Sequence, residues 1–170
     1  MLTASITKAQ FYQGSYQEFG KSRVQYNGFS WKFHAYKRFR IYYSGINEDI
    51  AIYTARTLHH YLGLAEEKLD YSFPEKLEVI VYESQQKFRQ SNLGVTNDEM
   101  SSVGGTSRIV GSKVFIYYEG DHQSFNENIK AAVYEVLLKH MFFGGDWKDQ
   151  LKSSVNSGIP DWLEKGLIHY

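Results

Sequence analysis

Residues 124–143 read S-F-N-E-N-I-K-A-A-V-Y-E-V-L-L-K-H-M-F-F, and residues 159–170 read I-P-D-W-L-E-K-G-L-I-H-Y. In the first segment Ile129, Ala132, Val133, Val136, Leu137, His140 and Met141 recur at helical spacing and form one face. Ala131, Leu138 and Phe142 add a second apolar face. A helix apolar nearly all round belongs in a core, yet this one carries an acid, Glu135, at its middle. The second segment opens like a helix, with Pro160 at an early position and Asp161 and Glu164 in the first turn. It reaches Tyr170 without a C-cap signal, which predicts a fragment of a longer protein.

Composition narrows the function classes. The chain has 170 residues, enough for one domain with a sizeable core. Its 19 Lys and Arg balance 19 Asp and Glu, so nothing points to nucleic acid or an acidic membrane surface. The absence of cysteine removes disulfides, thiolate zinc sites and a cysteine nucleophile. Aromatic residues make up 16% of the chain, which favours strands and amphipathic surfaces. No apolar run is long enough to span a membrane. The start of the chain, M-L-T-A-S-I-T-K-A-Q, lacks a full apolar signal core. It reads either as a disordered terminus or as the tail of a processed leader.

Two regions are expected. Residues 1–30 form an extended, aromatic and polar arm, and residues 31–170 form the folded domain. Trp31–Ser44 alternates as a strand, with Phe39, Ile41 and Tyr43 on one face. Asn47 is expected to cap a long helix ending near Leu69, with Glu48 and Asp49 in its first turn. Its stripe is Ile50, Tyr53, Thr54, Thr57, Leu58, Tyr61 and Leu62. Residues 76–83 make a strand, Ser84 caps a short helix over 85–90, and a loop follows over 91–100. Ser101–Ile109, with Gly104-Gly105, and Lys113–Tyr118 form a hairpin region before the apolar helix. The expected class is α+β, a mixed sheet packed by helices.

The two C-terminal segments resemble the gluzincin branch of the zincin metallopeptidases. In that family H-E-x-x-H on one helix supplies two zinc ligands and the general base, and P-x-W-x-x-E-G-L-A-x-Y supplies the third ligand. Here Pro160, Trp162, Gly166, Leu167 and Tyr170 keep the scaffold pattern. The two His positions hold Tyr134 and Leu138, the third-ligand position holds Lys165, and only the general base remains, as Glu135. Leucine cannot ligate zinc, a lysine is a cation, and a neutral tyrosine is a poor ligand. Using Glu164 instead turns the side chain about 100° round the helix. The resemblance therefore implies a zincin-like fold, the N-terminal half of a gluzincin-type domain, with no metal, no cofactor and no catalytic residue.

The likeness also extends to the arm. Phe19-Gly20-Lys21, Val24-Gln25-Tyr26, Phe29, Trp31 and Phe39-Arg40-Ile41-Tyr42-Tyr43 resemble large secreted or periplasmic proteins of Bacteroidetes type. Those carry a gluzincin-like domain ahead of a TolB-like β-propeller. This implies a periplasmic or extracellular setting, with the rest of the polypeptide as one partner and a peptide or envelope protein segment as another. In zincins the antiparallel edge strand beside the active helix binds peptide. By resemblance that role falls within Ser101–Tyr118, with Lys113, Val114, Phe115, Ile116 and Tyr117 as the candidate edge. Two rival readings are an active peptidase with atypical ligands and a purely structural spacer.

Simpler readings accompany these residues. Glu135 and Lys139 form an i, i+4 pair of favourable direction. Against that simpler pairing, the resemblance predicts that Lys165 occupies the former metal position and pairs with Glu135, directly or through one water, across the two helices. His59 and His60 are adjacent and diverge on their helix, so they do not chelate together. His140 reads as a hydrogen-bonded core histidine. Gly104-Gly105 lacks the G-K-[ST] ending of a phosphate loop, and no G-x-S-x-G elbow occurs.

Overall fold

The computed structural model describes residues 28–45, 48–90, 108–143 and 166. The arm over 1–27, the Asn47 cap, the 91–100 loop, Gly104-Gly105 and Lys165 lie outside these residues. Gly166 is helical and exposed.

The chain folds as mixed α and β structure, as the α+β expectation required. Among the described residues, five strands form one sheet in the order β1-β2-β3-β5-β4. They are β1 (Trp31–Ala35), β2 (Phe39–Ser44), β3 (Leu77–Tyr82), β4 (Arg108–Val110) and β5 (Lys113–Tyr117). The helices are α1 (Glu48–Leu69), α2 (Gln85–Gln90) and α3 (His122–Phe143). β2, β3 and β5 run parallel, while β1 and β4 close the two sides as antiparallel strands.

β3 lies at the centre. L-E-V-I-V-Y is apolar on both faces because both faces are covered, as parallel strands require. Val79 and Val81 join the cluster under α1 and α3, together with Phe39, Ile41, Tyr43, Val114 and Ile116. Ile80 and Tyr82 face the other way and pack with Trp31, Phe115 and Phe88 of α2. Glu78 helps fix the register: it lies opposite Arg40 on one side and Lys113 on the other. Its carboxylate meets the Arg40 guanidinium at 3.3 Å and the Lys113 ammonium at 3.8 Å. Opposed charges across strands stabilise that alignment.

The segment Trp31–Ser44, expected as one strand, is two. The chain turns at Tyr36–Arg38, where the Tyr36 amide donates to the Phe39 carbonyl at 2.9 Å. β1 then folds back with Trp31 opposite Ser44 and Ala35 opposite Arg40. The shared face of Phe39, Ile41 and Tyr43 holds, since all three are buried. In α1 the buried set is Ala51, Thr54, Ala55, Leu58, Leu62 and Ala65. The expected Ile50, Tyr53 and Tyr61 instead pack as partly buried flanks. Small alanines let the helix approach the sheet, and the larger rings seal its margins.

Gly45, between β2 and α1, has φ +74, a backbone region suited to glycine. A Cβ there would also meet the Glu83 carboxylate, so a side chain at this position would strain the backbone and displace Glu83. The carboxyl of Glu66 organises the other end of α1. It receives two hydrogen bonds from the Arg38 guanidinium and one from the Phe73 amide at 2.7 Å. One acid thus fastens both the β1–β2 turn and the loop after α1.

Candidate functional site

α3 begins on Asp121, whose carboxylate accepts from the amides of Gln123 at 3.2 Å and Ser124 at 2.8 Å. This N-cap satisfies two of the helix's orphan donors. The Ser124 hydroxyl and amide, then the Gln123 amide, hold the Asp121 carboxyl below its ordinary range. The cap was not read from the sequence, although an Asp before an apolar-periodic run is a standard start signal.

Ala131–Leu138 is buried without interruption. Tyr134 is 2% exposed, Glu135 4% and Leu138 1%. Tyr134 belongs to the main core cluster beside Val133 and Leu137. Burial raises its phenol above the ordinary tyrosine range, so it stays protonated and neutral at physiological pH. Glu135 Oε1 receives a hydrogen bond from Lys139, one turn later and half in solvent. Glu135 Oε2 is buried and has no hydrogen-bond partner among the described residues. The simpler i, i+4 pair with Lys139 is thus present, and the predicted pair with Lys165 lies outside the described residues. An acid that already holds an ammonium, flanked by a neutral phenol and a leucine, is a charge pair set into an apolar wall.

His140 is a hydrogen-bonded core histidine. Its Nδ1 lies 2.5 Å from the Tyr71 hydroxyl, its Nε2 is 4.0 Å from Glu75, and the Phe73 ring meets it edge-on at 5.1 Å. It ties the end of α3 to the loop before β3. Among the described residues, no three of His, Asp or Glu converge as a metal-ligating group, and no helix is long and apolar enough to cross a membrane.

The candidate peptide edge needs a correction. β4 and β5 form the expected hairpin, joined by Gly111 and Ser112 with Gly111 at φ 76. However, Lys113, Val114 and Phe115 are paired on both sides, to β3 and to β4. The outer strand among the described residues is therefore β4. Ile116 and Tyr117 run past the end of the β4 register. That outer antiparallel strand lies one strand further out than Lys113–Tyr117.

A cavity of about 520 Å³ lies at the opposite side of the sheet, between the β1–β2 turn and the flank of α1. Tyr36, Phe39, Ile52 and Ala55 supply apolar lining, and Lys37, Arg38, Arg56 and His59 supply the polar part. His59 faces this cavity, whereas the His60 ring lies 5.2 Å from that of Tyr61, so the two neighbours diverge as expected. Sequence reading missed the cavity. Its only local signal is Arg56 and His59, three apart on one flank of α1.

No family model matches this chain, and no curated protein or solved structure matches it.

Proposed function

We propose that this chain is a zincin-like domain of gluzincin type whose metal centre has been filled in, and that it works by binding rather than by hydrolysis. The observation that carries this reading is the burial of Tyr134 and Leu138 on either side of Glu135. Those are the positions where the resemblance calls for imidazoles. A protonated phenol and a leucine packed into the core supply no ligand to zinc, and Glu135 is engaged by Lys139. The antiparallel outer strand β4 supports the same reading, because it offers an extended segment an edge on which to pair. The domain serves as a binding or structural module of a TolB-like envelope protein, in a periplasmic or extracellular setting. Its partners are the remaining polypeptide, a β-propeller, and a peptide or envelope protein segment.

Zinc titration calorimetry tests the inactive centre. The expected result is no binding tighter than micromolar and no cleavage of a casein substrate. Stoichiometric zinc binding that disappears in Glu135→Gln would overturn it. Amide-shift mapping against the propeller region tests the binding role. Localised shifts at residues 108–110 are expected, and a featureless titration would mark the domain as a spacer.

A further inference from the structure

We propose that the cavity between the β1–β2 turn and α1 binds a small amphipathic anion, a monocarboxylate carried on an apolar chain or ring. The proposal is independent of the reading of α3. The volume, about 520 Å³, falls within the range of small-molecule sites. The Tyr36 and Phe39 rings lie 4.8 Å apart, tilted by 35°, and line the cavity with Ile52 and Ala55 as an apolar floor.

The lining residues contain three cations and a histidine but no carboxylate. Arg38 is already engaged by Glu66. Lys37 and Arg56 are exposed and form no ion pair among the described residues. An apolar recess lined in part by two cations that form no ion pair among the described residues complements a ligand with an apolar body and a single anionic head. The Arg56 guanidinium can take a carboxylate through two parallel hydrogen bonds, and Lys37 adds a point charge from the other wall.

The site is also preformed. The turn is closed by the Tyr36–Phe39 backbone bond, by the Leu77 amide donating to the Arg38 carbonyl at 3.1 Å, and by the Arg38–Glu66 pair. A wall already fixed loses little further freedom when a ligand enters.

The test is a titration of the isotopically labelled chain with sodium octanoate, followed by amide shifts, with octan-1-ol and octylamine as controls. Saturable shifts are expected at residues 36–39 and 52–59. Affinity should fall about tenfold or more in the Lys37→Gln, Arg56→Gln double variant, as the loss of a charge-assisted bond predicts. Both substitutions are at exposed positions, so the remaining amide spectrum should be unchanged. Ile52→Trp fills the recess from its half-buried flank and should abolish binding without touching a charge. Absent or non-saturable shifts, shifts clustered elsewhere, or equal binding of octan-1-ol and octylamine would overturn the proposal.

Discussion

Helices α1 and α3 each span 22 residues and pack on the same face of the sheet, yet they meet their surroundings differently. α1 is buried along one stripe, with Glu48, Asp49, Arg56, His59, His60 and Glu67 in solvent. α3 is buried on every side from Ala131 to Leu138 and keeps its exposed residues for its ends. The contrast teaches where each helix takes its stability. α1 can trade residues on its outer face freely. In the middle of α3 any change is a core change, and even its one acid must be housed inside the protein.

The largest effect that can break this contrast comes from truncating α3. Leu137 is fully buried, and Leu137→Ala should cost about 2–5 kcal/mol in urea unfolding. A cost below about 1 kcal/mol would mean that α3 is less embedded than its burial implies.

Next comes the acid that serves α1. Burial pushes the Glu66 carboxyl upward, but the Arg38 guanidinium and the Phe73 amide outweigh it and leave it below the ordinary range. Because the folded value is depressed, the stabilisation is present above the ordinary carboxylate pKa and is lost as pH falls through the folded value. Glu66→Gln should therefore cost about 1–3 kcal/mol at neutral pH. The gap from the parent should narrow in acid. A pH-independent difference would place the effect in packing instead.

Third is the acid inside α3. Lys139→Met leaves the Glu135 carboxylate without its ammonium. Because Lys139 is half in water, the expected cost is about 1–2 kcal/mol rather than the full penalty of a stranded buried charge. Glu135→Gln added to it should recover most of that loss. If the two changes simply add, the pair is not coupled. The smallest effect belongs to the outer face of α1. Leu64 is 36% exposed, and Leu64→Ala should shift stability by less than about 0.5 kcal/mol.

Much of this frame was legible in the sequence. α2 falls on residues 85–90 with the Ser84 hydroxyl accepting from the Lys87 amide at 3.2 Å, because caps and short runs are local signals. The Leu69 end of α1 and the strand around Leu77–Tyr82 were likewise written in periodicity. The β1–β2 turn was not. Tyr36-Lys37-Arg38 contains no glycine, proline or asparagine, and Arg38–Glu66 fixes it across 28 positions. The alanine stripe of α1 was hidden for another reason: Tyr53 and Tyr61 outweigh alanines in an apolar pattern, although the smaller side chains reach the sheet. β4 was hard to place because three residues carry too little alternation to separate them from the preceding loop. At the candidate site, Glu135 and its neighbours were readable as residue types, while the burial of Oε2 without a partner among the described residues is a fact of the fold alone. The cavity stayed invisible because Lys37 and Arg56 come from separate elements, and each alone reads as a solvated charge.

The central position of β3 has a consequence for how the chain folds. The hairpins β1–β2 and β4–β5 close through short turns, and the helices form from local contacts, all fast events. β3 must instead pair in parallel with both β2 and β5, each reached only through a crossover. Its insertion closes two long loops and is expected to set the folding rate. Until it arrives, β2 and β5 each present an apolar edge with unpaired backbone groups, so the refolding chain is most prone to self-association before β3 docks.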